Sequence, residues 1–409
     1  MEGSSRYNVV KKEPKSMLSG VLFLILTVMY TIAYNEDLRA TSILWYGISI
    51  IAIAYLAYVV STKCMHKSLG VYAIWAGAFF AYSFISGLWA ADVSKVLDTS
   101  KTLFLIFIVN ILLSFVVETK EDVRNILLAN FLALVLYLIY VLLNVDLSQL
   151  GEDRLGVDFL GSLWNANDVG IKLCFGFALA LYFAFEQKHI AWKLILFAIG
   201  LLFAGVGLFT GSRKVFLMLM GIAVLFMFLY SKHKFIGMAI AIASAIAFYF
   251  AIMEIESLYN VLGQRIENML EGLFGQGTTE GSFNTREEMI RLGFGWFLER
   301  PLFGYGMSNF SVLYEIEKGW STYSHNNFIE ILINGGIVGF ILYYFIYAYI
   351  FVKLFKAAFV KRDSTAIILF TINLVLIALQ IAAVSYYDTL FNCILLLAVM
   401  YVKVGGKSA

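Results

Sequence analysis

The side chains of this 409-residue chain that could do chemistry fall into four groups. The first is YSHNNFIE, residues 323–330, where His325, Asn326 and Glu330 sit at the start of an apolar run. An imidazole can take a proton near neutral pH, although a lone histidine is more often a structural hydrogen-bonding group. Glu330 is placed within reach of Asn326 on one helix face. The second is TGSRK, residues 210–214. Gly211 and Ser212 permit a tight turn, so that Arg213 and Lys214 stand at the next helix N-terminus. Positive charge there opposes the helix dipole, and a bound phosphate would relieve the conflict; contact with lipid headgroups is the plainer alternative. The third is Arg154, then NAND (Asn165, Ala166, Asn167, Asp168) and Lys172. A lysine at membrane depth costs ~2.5–3.5 kcal/mol to insert. It therefore needs a cavity or a counter-charge, and Asp168, four residues earlier, is the simplest partner. The fourth is Arg265, Arg286, Arg291 and Arg300 in one polar stretch. Guanidinium groups suit planar, bidentate binding of phosphate or carboxylate; each could instead merely solvate its loop. Cys64, Cys174 and Cys393 are isolated and no CxxC occurs, so no disulfide framework or zinc site is suggested. With no DxD motif or acidic pair either, no metal or cofactor is expected.

The elements that must position these groups are membrane helices. The chain is 61% hydrophobic and 14% charged, with mean hydropathy +0.82, against about 25% charged residues in soluble domains. Apolar runs long enough for a bilayer core of ~30 Å fall near 17–34, 43–61, 70–90, 102–117, 124–144, 165–186, 191–210, 214–230, 235–254, 327–352, 364–385 and 389–403. They are apolar all round, which selects helices over barrel strands. The expected fold is an all-α polytopic membrane protein of about twelve transmembrane helices with one large periplasmic loop containing short helices. The net charge of +2 says nothing about nucleic acid, and no nucleic-acid partner is expected. More than half of the 30 basic residues, mostly lysine, occupy the amino terminus and the loops after even-numbered spans, together with the carboxyl terminus. By the positive-inside rule both termini are cytoplasmic. The opposite, external side is richer in arginine and holds His325; the other three histidines, His66, His189 and His233, fall in cytoplasmic loops.

Three regions follow: a membrane bundle over 1–254 with about nine spans, a periplasmic loop subdomain over 255–326, and a second bundle over 327–409 with about three. Within the loop, EIESLYNVLGQRIENMLEGLF has the spacing of a short amphipathic helix. GQGTTEGSFN is a glycine-rich loop. Thr285 and Glu288 have capping-box spacing, which starts a helix at Arg286, and Pro301 and Gly304 mark its exit. That helix is too short of apolar residues to span and is expected along the interface or against the bundle. Gly335, Gly336 and Gly339 are expected to permit close helix packing.

The combination resembles the bacterial O-antigen polymerase and O-antigen ligase superfamily. The resemblance lies in RPLFGYGMSNF (300–310), in His325-Asn326 followed by nine residues and Gly336-Ile337-Val338-Gly339, in the arginine turn TGSRK, in Arg286 before a periplasmic helix and in Arg154 before an Asn-rich helix start. NAND replaces the Asn-Pro-Asn of many relatives. Membership implies metal-independent, inverting glycosyl transfer in the inner membrane, with the active site facing the periplasm. The donor would be an undecaprenyl-pyrophosphate-linked oligosaccharide, and a chain-length regulator would be an expected partner. It implies His325, Arg213 and Arg286 as catalytic residues. Arg154, Lys214, Arg265, Arg291, Asn326, Asn167, Lys172 and Glu330 would be substrate-binding.

The acceptor would be a second lipid-linked repeat in a polymerase, the reading favoured by the arginine-bearing loop helix, or lipid A-core in a ligase. A transporter or flippase of an anionic lipid-linked substrate is the rival class, though no internal repeat of the kind such folds show is visible. The orientation is tested by single-cysteine labelling in intact cells. An impermeant maleimide should react with a cysteine placed within 255–326 and not with one in the loop around Lys188; the reverse pattern overturns the topology.

Overall fold

The computed structural model describes residues 19–40, 42–63, 69–144, 165–273 and 281–406. Arg154, with the rest of the 145–164 segment, lies outside the described residues. Among the described residues seventeen α-helices follow in order: α1 (Gly20–Tyr34), α2 (Glu36–Ala40), α3 (Ser42–Lys63), α4 (Val71–Ile85), α5 (Val93–Val116), α6 (Lys120–Asn144), α7 (Ala166–Glu186), α8 (Ile190–Phe209), α9 (Arg213–Tyr230), α10 (Lys234–Glu254), α11 (Glu256–Leu258), α12 (Gln264–Leu273), α13 (Gly281–Glu299), α14 (Phe310–Lys318), α15 (Asn327–Phe355), α16 (Ser364–Leu379) and α17 (Thr389–Gly406). No strand occurs among the described residues. Ten of the helices are long and apolar enough to cross a membrane, and α1 and α16 are apolar but shorter. Each of the twelve runs read from the sequence overlaps one of these helices.

The bundle is built around α7 and α17, which are enclosed along most of their length. α7 packs against α6, α8, α9 and α16, and α17 against α5, α6, α15 and α16. α3 and α10 instead turn side chains such as Ile50, Ile240 and Phe250 outward. Contiguous apolar exterior of this kind needs lipid, not water, as its solvent.

One helix is broken. In α15, Gly336 has φ 60° and ψ −166°, a region open essentially to glycine alone. Residues 301–306 fill the break. Tyr305 and Gly306 donate their backbone N–H groups to the carbonyls of Ile333 and Asn334, both at 2.9 Å. Ile337 donates to the Pro301 carbonyl at 2.8 Å and Val338 to that of Leu302 at 3.3 Å. Every backbone group freed at membrane depth must find such a partner. The glycines therefore do more than let helices approach. Gly339 does pack closely on Tyr82, but Gly336 lies where a Cβ would meet the Leu302 carbonyl oxygen at 2.3 Å.

The loop region departs from expectation at two points. α13 begins at Gly281 rather than Arg286, so Thr285 is inside the helix and residues 281–284 continue it backward. No proline interrupts that stretch, and Thr-x-x-Glu spacing occurs inside helices as readily as at their starts. The apolar stretch 256–273 is split into α11, a π-helical turn over Tyr259–Gly263 and α12. α13 lies against the bundle: Met289 is buried with Tyr305, Phe310, Tyr314 and Ile333 in a second apolar cluster.

Replacing Gly336 with Ala should cost about 3 kcal/mol or more, since it adds left-handed strain to a backbone clash. Gly77→Ala, where a Cβ meets nothing within 4 Å, is the control. Thermal unfolding of the purified proteins should show a large loss for Gly336→Ala only; equal midpoints would mean that the break is not required.

Candidate functional site

The loop before α15 is held from several directions. Asn326 caps the helix, its side-chain oxygen accepting from the N–H groups of Phe328 and Ile329 at 3.0 and 3.1 Å. Ser324 donates its hydroxyl to the Asn326 carbonyl at 2.8 Å. Its backbone N–H goes to one carboxylate oxygen of the buried Glu330 at 2.9 Å. The other oxygen accepts from Asn334 at 3.1 Å, and Asn334 in turn accepts from the Phe310 N–H at 2.8 Å. Asn327 ties the same helix start to the loop between α16 and α17, accepting from Ser385 and Tyr386. Between these anchors His325 adopts φ 54°. A left-handed histidine costs on the order of 1–3 kcal/mol and persists only where its surroundings over-determine it. Its ring lies 4.1 Å from that of Tyr323, centroid to centroid.

The starts of α7 and α9 are joined to each other. Asn165 caps α7, accepting from the Asn167 N–H at 3.0 Å. Asn167 accepts the Ser212 hydroxyl at 2.7 Å, which links NAND to TGSRK. The approach is close because Gly170 has no side chain: a Cβ there would meet Val215 at 2.2 Å and the Thr210 hydroxyl at 2.9 Å. These contacts account for the asparagines without a proline between them.

Around these helix starts lies a cavity of about 690 Å³, well inside the ~300–1,000 Å³ of small-molecule sites. His325, Tyr323, Lys214, Lys172, Asn167 and Asp168 line it. Lys172 pairs with Glu36 of α2 at 3.2 Å, not with Asp168 alone as its neighbour in sequence. Lys214 donates to the Ala382 carbonyl. Burial first, then the positive charges of Arg286 and Lys214, push the His325 pKa down to about 4. The imidazole is consequently neutral at pH 7, able to accept a proton but less basic than a free histidine.

The other candidates distribute around this centre. Arg286, on α13, is close enough to act on His325 by its charge. The Arg213 guanidinium reaches the Arg265 carbonyl at 3.5 Å. Arg291 lines a shallow depression with Thr285, Glu287 and Glu288. Arg300 stacks on Tyr305, 4.6 Å from the ring centroid. Asn326 and Glu330 have their side-chain oxygens engaged in shaping the loop. The cavity also has a wall that the motifs did not announce: Arg39, Trp45, Tyr46, Asp98 and Lys101, from α2, α3 and α5, with Tyr387 and Asp388 before α17. Arg39 and Lys101 were legible as cations on the external side. Nothing in their spacing places them beside residues 165–172 or 323–325.

Residues 195–344 match the O-antigen ligase family, and the resemblance read from the motifs is borne out over that stretch. It takes in the TGSRK turn, Arg286, His325 and the glycine break, and it supports glycosyl transfer of the ligase or polymerase type in general. No curated protein matches the chain.

The Lys172–Glu36 pair is mostly shielded, its side chains 9% and 20% exposed. Removing either partner strands a charge, while removing both does not. A double-mutant cycle with Lys172→Met and Glu36→Gln, read by unfolding of the purified protein, should give a coupling of about 1 kcal/mol or more. Additive losses would show that the two groups stabilise the cavity independently.

Proposed function

We propose that this protein is a polysaccharide polymerase of the inner membrane. It transfers an undecaprenyl-pyrophosphate-linked glycan to the non-reducing end of another lipid-linked repeat unit at the periplasmic face, with inversion at the anomeric carbon. What supports this most is one juxtaposition: a neutral imidazole in a polar cavity shared with Lys214 and Lys172, with Arg286 near enough to act on it.

In this reading the acceptor hydroxyl attacks the donor's anomeric carbon. The carbon–oxygen bond to the diphosphate breaks, and the electron pair leaves on the diphosphate oxygen. Lys214 and Arg286 offset the developing charge, as charge-assisted donors do in a site sheltered from water. Arg213, held against the α12 backbone, would hold the diphosphate from farther out, and Arg154 is assigned to the diphosphate by the sequence resemblance alone. The hydroxyl proton passes to His325. The depressed basicity of His325 fits this order of events: a bound diphosphate offsets the two cations that lower its pKa, so the imidazole becomes a stronger base once the donor has arrived.

The O-antigen ligase description of the matched family keeps lipid A-core as a second acceptor class. Deletion distinguishes them. Loss of a polymerase leaves single repeat units, whereas loss of a ligase leaves long chains on the carrier lipid.

His325→Ala should insert normally and lose about 10²–10⁴-fold in turnover with lipid-linked oligosaccharide; unchanged chain extension would remove the base role. The pH dependence is more discriminating. Because the pKa is lowered, the active neutral form is present above about 4 and lost as pH falls through that value. The acid limb of kcat/KM, which reports the free enzyme, should lie near there, and that of kcat should lie higher. Coincident limbs near the ordinary histidine value would contradict activation by the bound donor.

A further inference from the structure

We infer that the α2–α3–α5 wall of the cavity is the acceptor subsite, and that it selects a glycan bearing a carboxylate, with Arg39 as the group that reads it. This rests on the proposed glycosyl transfer and names the class of its acceptor.

The cations of the cavity are not equally available. Lys172 is taken by Glu36 at 3.2 Å and Lys101 by Asp98 at 2.9 Å. Lys214 donates to the Ala382 carbonyl. Arg39 differs: its guanidinium makes no hydrogen bond or ion pair among the described residues, yet it lines the same cavity as His325. Its backbone is fixed. Asn35 accepts from the N–H groups of Asp37 and Leu38 at 3.1 and 3.2 Å, and Tyr140 donates to Asp37 at 2.8 Å. α2 thus presents the arginine from a braced turn. With Glu36 and Asp98 each paired to a lysine, the charge on this wall left without a partner among the described residues is that of Arg39.

Trp45 and Tyr46 line the same cavity. Aromatic rings offer apolar faces, with a polar tip, on which a sugar ring can lie. A planar fork on the same cavity wall as two aromatic side chains fits a sugar ring carrying a carboxylate, since the fork can donate to both carboxylate oxygens at once. This wall comes from residues outside the 195–344 family match, whereas Lys214, Arg286 and His325 lie within it. Such a division suits a shared transfer chemistry joined to an acceptor preference particular to this chain.

The probe is the lipid-linked oligosaccharide that accumulates in cells from which this protein has been deleted, used as isolated and after chemical reduction of its carboxyl groups. Arg39→Gln should raise the KM for the intact acceptor about tenfold to a hundredfold, the worth of a charge-assisted hydrogen bond. It should leave kcat within twofold and change little with the reduced acceptor. Arg39→Lys should recover part of the loss, as a point charge without the fork. An accumulated unit without an acidic sugar overturns the inference, as does an equal loss with both acceptors, which would indicate a lipid-headgroup or structural contact. An unchanged KM overturns it as well. A wild-type protein that extends neither acceptor instead removes the glycosyl-transfer reading itself.

Discussion

Backbone hydrogen bonding is the constraint from which the rest of this structure follows. A helix at membrane depth has no water to satisfy a broken turn, so the interruption of α15 at Gly336 exists only because residues 301–306 supply the missing donors and acceptors. That insertion fixes the helix start. Asn334, beside the break, is bonded to Glu330 and to the Phe310 backbone, and Glu330 holds the Ser324 backbone next to His325. A side chain in a strained conformation is thereby pinned to a rigid element, and its placement does not rest on a free loop.

The second organising feature is charge held near an uncharged base. The cavity brings together the starts of α7, α9, α15 and α17, and side-chain caps from Asn165, Asn326 and Asp388 hold the first turns of α7, α15 and α17. Lysines at two of these positions add full charges. Burial first, and then the charges of Arg286 and Lys214, depress the basicity of the histidine; in the proposed reading the same cations face the diphosphate. That reading makes sense of an imidazole poorly suited to work before its substrate arrives.

Much of the fold was legible from hydropathy, because all-round apolar runs of span length admit few structures. Legibility declined where tertiary context decided the outcome. The glycines of the 335–339 run read as packing residues, whereas Gly336 is a break; the segment that fills it lies thirty residues upstream and carries no sign of the pairing. Asn167 read as substrate-binding, and its side-chain oxygen receives the Ser212 hydroxyl, while Asn165 caps α7. Arg213 and Lys214 read together as an anion-binding pair, yet only Lys214 is among the residues that line the cavity while Arg213 reaches the Arg265 carbonyl, a matter of helical phase at a terminus that spacing does not set. Arg39, Trp45 and Tyr46 had no motif at all, because distance along the chain conceals which helix ends meet.

The most direct measurement is an experimental structure of the protein with a short-chain polyprenyl-diphosphate sugar bound. The account places the diphosphate between Lys214 and Arg286, with the anomeric carbon facing His325 inside the cavity. A diphosphate seated at Arg291, or anywhere that leaves the imidazole without access to the sugar, would contradict it.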